Sequence, residues 1–196
     1  MAKAPYQLNG AQLEALTAPA RHDILDRLIA QGPMTVADIA AALGRQRTAI
    51  YHHLRQMEAV GLIEAERPAA ASREPGRPSL VYRAADPHIV ASDASREPTN
   101  RKLIARAARA ATAQTARDFE IALGSGARIM EGATRNHTFF RAVIAPSPER
   151  LARINALLLE LQDLVLAPEA EPGALLSIAW ITAPLARPKR KRAPRA

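Results

Sequence analysis

Residues 46–55 read Gln-Arg-Thr-Ala-Ile-Tyr-His-His-Leu-Arg, a stretch rich in hydrogen-bond donors and free of carboxylates. If it is helical with Ile50, Leu54 and Met57 turned inward, then Arg47, Thr48, Tyr51, His52 and Arg55 fall on the free side, with Gln46 at the entry. Guanidinium forks, hydroxyls, an amide and an imidazole are groups that meet phosphates and base edges. The first acid after them is Glu58, at the far end. A second basic set, Arg67, Arg73 and Arg77 against Glu74, borders or lies in a Pro/Gly-rich stretch over 68–78. An arginine on such a loop can enter a minor groove or touch phosphate; the alternative is a scattered, solvated charge.

Other chemistries find little support. With no cysteine there is no disulfide scaffold, thiolate zinc site or cysteine nucleophile. No Gly-rich phosphate loop and no placed Ser-His-Asp order is present, and His137 near Arg135 and Arg141 is too little for an active site. Asp86 and His88 are two ligands without a third, and His53 reads as a packed or capping histidine. The expectation is no enzyme, no catalytic residue, no metal and no cofactor.

The elements needed to position the basic face are legible around it. Asn9 can cap a short helix through Leu13 and Leu16, and Pro19 can open a second carrying Ile24, Leu25, Leu28 and Ile29, stopped at Gln31-Gly32-Pro33. Thr35 with Asp38 predicts a capped helix over 36–43, ended by Gly44 in a left-handed conformation. The next helix runs over about 47–60 to Gly61, and strands over 62–67 and 79–83 make a hairpin. Helix, capped helix, glycine turn, helix and hairpin with a basic loop is the layout of a winged helix-turn-helix domain.

The motifs Leu16-Thr17-Ala18-Pro19-Ala20-Arg21-His22-Asp23-Ile24-Leu25, Thr35-Val36-Ala37-Asp38-Ile39-Ala40, Tyr51-His52-His53-Leu54 and Gly61-Leu62-Ile63 together resemble the ArsR-type winged-helix repressors over about residues 10–85. The resemblance implies a homodimer on double-stranded DNA, often at the operator of its own gene, released or engaged by an effector. It also implies 47–60 as recognition helix and 67–79 as wing. The metal-sensing members' cysteine pair and terminal-helix ligands are absent: 36–43 holds no cysteine and 147–166 no histidine.

Beyond a linker at 86–98, a long alanine-rich helix is predicted from Thr99 or Asn100 to Leu123. A strand at 137–144, a helix opened by Ser147-Pro148 and an apolar strand over 175–182 follow. Along that helix Leu151, Ile154, Leu158, Leu161 and Val165 form a heptad seam, intramolecular or between subunits. Phe139, Phe140 and Trp180 are either ordinary core or a candidate pocket for an apolar ligand.

The chain has 196 residues and a net charge of +8, but the six basic residues between Arg187 and Arg195 leave only +2 elsewhere. Such a tail adds salt-sensitive, sequence-independent nucleic-acid affinity, or merely solubilises an end. No apolar signal core stands at the amino terminus, and no apolar run is long enough for a membrane span. A cytoplasmic protein without a membrane partner is expected.

The expected fold is mostly α with a small β component (α+β). It comprises a winged helix-turn-helix domain at 9–85, a linker at 86–98, a helical and strand-helix-strand dimerisation or sensing region at 99–183, and a basic tail at 184–196. The expected function is transcriptional regulation through a near-palindromic operator. The competing reading is a winged-helix protein–protein interaction module whose tail binds nucleic acid non-specifically.

Overall fold

The computed structural model describes residues 6–67, 80–91, 94–167 and 173–185. Helix α1 (Gly10–Ala15) starts with a capping box, since Asn9 accepts from the Gln12 amide while the Gln12 side chain accepts from the Asn9 amide. Helix α2 (Pro19–Gln31) lacks a side-chain cap, but Pro19 supplies a preset φ where a missing N–H costs nothing. Strand β2 (Met34–Thr35) leads directly into α3 (Val36–Ala42). There the Thr35 hydroxyl accepts from the Asp38 amide, and the Asp38 carboxylate accepts from the Thr35 amide at 3.1 Å and its hydroxyl at 2.7 Å. These bonds hold the Asp38 carboxyl below its usual range.

Helix α4 (Arg47–Ala59) follows the turn, and both sides of it are set by glycine. At Gly44, φ is +60°, with Gly44 donating to the Ala41 carbonyl and Arg45 to that of Ala40; at Gly61, φ is +71°, with Gly61 donating to Glu58 and Leu62 to Met57. Both are left-handed endings that satisfy the last carbonyls of a helix and redirect the chain sharply. A side chain with a Cβ would strain either turn.

Strands β3 (Ile63–Glu66) and β4 (Val81–Ala84) pair antiparallel, Ile63 with Ala84 and Ala65 with Tyr82. Strand β2 joins the other edge of β4, Met34 opposite Tyr82, giving the order β2-β4-β3. The core lies where this sheet meets α1 to α4, around Leu13, Ile24, Ile39, Ile50, Leu54, Met57 and Ile63.

The described residues of the segment 86–98 form more than a bare linker. Strand β5 (Ile89–Val90) pairs parallel with β1 (Tyr6–Gln7), and a short 3-10 turn spans Ala94–Arg96. Helix α5 (Pro98–Leu123) then lies across α1 and α2, burying Ala107 and Ala110, whose small side chains allow close approach. Helix α6 (Pro148–Leu166) is capped by Ser147, with Pro148 in its first turn. The strands expected at 137–144 and 175–182 do not form: 137–147 and 173–185 carry no regular structure. A strand exists only through its partner, and residues 138–146 and 173–185 make no backbone hydrogen bond among the described residues. Among the described residues the small β component is thus confined to the amino-terminal half.

Gln12 ties the first helix to the end of α4. Its side chain is fully buried, donating to the Tyr6 hydroxyl at 2.7 Å and the Val60 carbonyl at 2.9 Å. Gln12→Ala leaves that carbonyl without its donor, so urea unfolding should show a loss of about 1–3 kcal/mol.

Candidate nucleic-acid interface

Helix α4 is built with two unlike faces. Ile50, Leu54 and Met57, at spacings of four and three, are completely buried and fix the helix against the core. On the other side Arg47, Thr48, Tyr51, His52 and Arg55 are all exposed, with Gln46 exposed at the amino-terminal cap. Arg47, Tyr51 and Arg55 follow one another at intervals of four and form a single ridge, Thr48 and His52 lying beside it. Tyr51 is 47% exposed although its ring is large and apolar, as a contact residue awaiting a partner would be. The free amides at the helix entry add partial positive charge to this end.

The ridge is braced from behind. Arg21 of α2 donates to the Ala15 carbonyl and to the Gln56 side chain, linking α1, α2 and α4. Arg45, in the turn, lies 3.6 Å from the Oδ2 oxygen of Asp23. His53 is half-buried, and burial first, then the Arg21, His52 and Arg45 charges, lower its pKa; it is neutral at pH 7 and adds no charge to the face. On β4, Arg83 is engaged by Glu64 and by Glu66 at 3.0 Å, so its charge is already answered. These braces left no mark on the sequence, because each joins residues with no fixed spacing between them. Arg73 and Arg77 lie outside the described residues, as does the basic tail.

The other sequence candidates are separated. Trp180 lines a cleft of about 430 Å³ between α2 and the carboxy-terminal segments, together with Leu25, Ile29, Val165, Leu166 and Ile178. Phe139 and Phe140 are not part of this lining and are 78% and 86% exposed, so the three aromatics neither form one pocket nor a shared core. Among the described residues no cluster of three metal-ligating groups occurs, and the Asp86 carboxylate accepts from the His88 amide at 2.8 Å. No helix among them is long and apolar enough to cross a membrane.

The same cleft contains Asp26. Although the side chain keeps solvent access, desolvation by the surrounding protein, with the Asp23 and Asp118 charges, pushes its pKa from 3.8 to about 6 against the opposing pull of Arg27. The folded state therefore holds this proton more tightly than the unfolded one. Below pH 3.8 both states are protonated and there is no penalty; stability falls as pH rises toward 6, and above it the full penalty applies. Asp26→Asn should raise Tm at pH 7.5 by about 2–4 °C, discounted for the solvent at the cleft, and leave it unchanged at pH 3.5. Thermal melts at the two values check the sign.

Helices α3 and α4 followed by the β3–β4 hairpin have the arrangement of a winged helix-turn-helix fold. Residues 16–66 match the family of the helix-turn-helix domain. Over 77 residues, 39% of this chain, the sequence is 38% identical to the HTH-type transcriptional regulator NmtR of Mycobacterium tuberculosis, and it spans 57% of that relative's length. A solution structure of the homodimeric winged helix-turn-helix DNA-binding domain of Mb0332 from Mycobacterium bovis, described as a possible ArsR-family regulator, is 27% identical. That likeness has a TM-score of 0.32 and covers 58% of this chain and 82% of that one. Residues 16–66 of this chain thus form a helix-turn-helix region.

Proposed function

We propose that this protein is a transcriptional regulator, acting as a repressor, that binds a near-palindromic operator in double-stranded DNA as a homodimer. The observation that supports it most is the exposed Arg47–Tyr51–Arg55 ridge on a helix whose opposite face is wholly buried. Side chains so placed enter a major groove without disturbing the core that carries them. Gln46, Arg47, Thr48, Tyr51, His52 and Arg55 read base edges and nearby phosphates. Arg73 and Arg77 of the wing segment 67–79 contact the backbone or minor groove. Residues 9–85 form the reading domain and 99–183 the dimerisation region. Two α4 helices related by a twofold engage half-sites about one helical turn, roughly 34 Å, apart.

The test is fluorescence anisotropy on the duplex upstream of the protein's own gene and on a scrambled duplex, across a salt series. A preference of about 10³-fold or more for the native duplex is expected. Equal binding to both, falling steeply with salt, overturns operator reading at that site and favours the interaction-module reading, with the tail supplying the affinity.

A further inference from the structure

Large exposed hydrophobic side chains are not spread evenly over this molecule. Apart from Tyr51 and Leu80, every one among the described residues lies between Ile121 and Leu185. Helix α6 buries no residue at all, and Leu159 and Leu164 on its outer side are 63% and 71% exposed. The segments flanking it, 138–146 and 173–185, pair an apolar sequence with a backbone that makes no backbone hydrogen bond among the described residues. From the exposures, the apolar surface left bare on α6 and its flanks is on the order of 1,500 Å², taking tens of Å² for each aliphatic and roughly 150–200 Å² for each phenylalanine. A monomer's largest apolar patch is roughly 300–600 Å², whereas a stable interface buries about 800 Å² on each side.

We infer that the surface formed by residues 138–167 and 173–185 is completed by a second copy of this chain: the extended segments become β-strands by pairing across the dimer, and the outer face of α6 is covered by its counterpart. This rests on the homodimer of the proposed function and assigns its interface. Charge favours a second copy over other occupants. Residues 138–166 carry Arg141, Arg150 and Arg153 against Glu149, Glu160 and Asp163, 173–185 carry none, and Glu169 and Glu171 stand between them, so the described surface is neutral and the region has no excess positive charge in a basic protein. A nucleic acid or an anionic membrane would call for excess positive charge. Two identical neutral apolar surfaces do not repel, and a twofold lets each cover the other. It also explains why segments that read as strands remain unpaired in one copy.

The experiment is sedimentation equilibrium on the full chain with hydrogen–deuterium exchange on the same samples. A mass twice that of the 21.1 kDa chain is expected. Amides of 138–144 and 175–182 should be protected at high concentration and lose protection on dilution. Phe140→Asp and Leu159→Asp, both at exposed positions, should weaken self-association at least tenfold while leaving the helical circular dichroism and the melting of the amino-terminal domain unchanged. A monomeric wild type overturns the inference, whether its amides exchange freely or are protected by pairing within one chain. So does a dimer in which these amides exchange freely, since its interface then lies elsewhere. Anisotropy on the operator separates the two readings. A protected dimer without operator preference sinks only the DNA reading, and operator preference with unprotected segments sinks only this one.

Discussion

Leu54→Ala should cost about 2–5 kcal/mol and lower Tm by about 5–15 °C, the largest stability loss expected from any single truncation on α4. Leu54 has no solvent exposure and sits between Ile50 and Met57, which are equally buried, where α4 meets α3, β3 and α2. Removing three carbons leaves a void that close-packed neighbours fill only in part. The comparison that makes the result informative is Tyr51→Ala, three residues earlier on the exposed ridge. Its side chain makes no buried contact of that kind, so stability should stay within about 0.5 kcal/mol of the parent. Denaturant unfolding of both variants decides the orientation of α4. Equal losses at the two positions would mean that the helix is rolled about its axis relative to the structure, and the proposed reading face would fall with it.

What was legible in the sequence was whatever is fixed by near neighbours. Thr35 and Asp38 announce the start of α3 because the capping box closes over three residues, and Gly44 and Gly61 mark the ends of α3 and α4 because left-handed turns need no Cβ. The spacing of Ile50, Leu54 and Met57 orients α4, and the free side of that helix follows from 3.6 residues per turn. Contacts between distant residues were not legible. The two-residue strands β1, β2 and β5 exist only through partners far along the chain, and no local pattern of Tyr6–Gln7 or Met34–Thr35 announces them. Gln12 is recognisable as the third member of a cap at Asn9, yet nothing nearby says that it also reaches Val60. The carboxy-terminal strands show the reverse failure. Their apolar pattern is plain, but pattern alone supplies no hydrogen-bonding edge, and among the described residues none pairs with 138–146 or 173–185. For the site, the exposed residues were legible and the braces were not, since Arg21 to Gln56 and Arg45 to Asp23 depend on how α2 packs beside α4.

Arg47→Ala should reduce affinity for the native operator by about 10- to 100-fold at fixed salt, while affinity for a scrambled duplex falls much less. Arg47 is the first residue of α4, exposed, and the helix entry beside it carries no carboxylate to neutralise it. Inserted end-on into a major groove, that position brings the guanidinium to a base edge, where two parallel N–H donors meet the two acceptors of guanine. Arg47→Lys keeps the charge but loses the fork, so it should retain scrambled-duplex affinity and its salt dependence yet lose most of the discrimination. Charge lost from the wing should behave differently. Arg73→Ala or Arg77→Ala should weaken both duplexes alike and flatten the salt slope, as expected for contacts to phosphate. Anisotropy titrations on the two duplexes separate these behaviours through the ratio of affinities rather than either affinity alone. If both Arg47 variants keep the parent ratio, α4 does not read the operator through its entry, and docking through this ridge is wrong however tightly the protein binds.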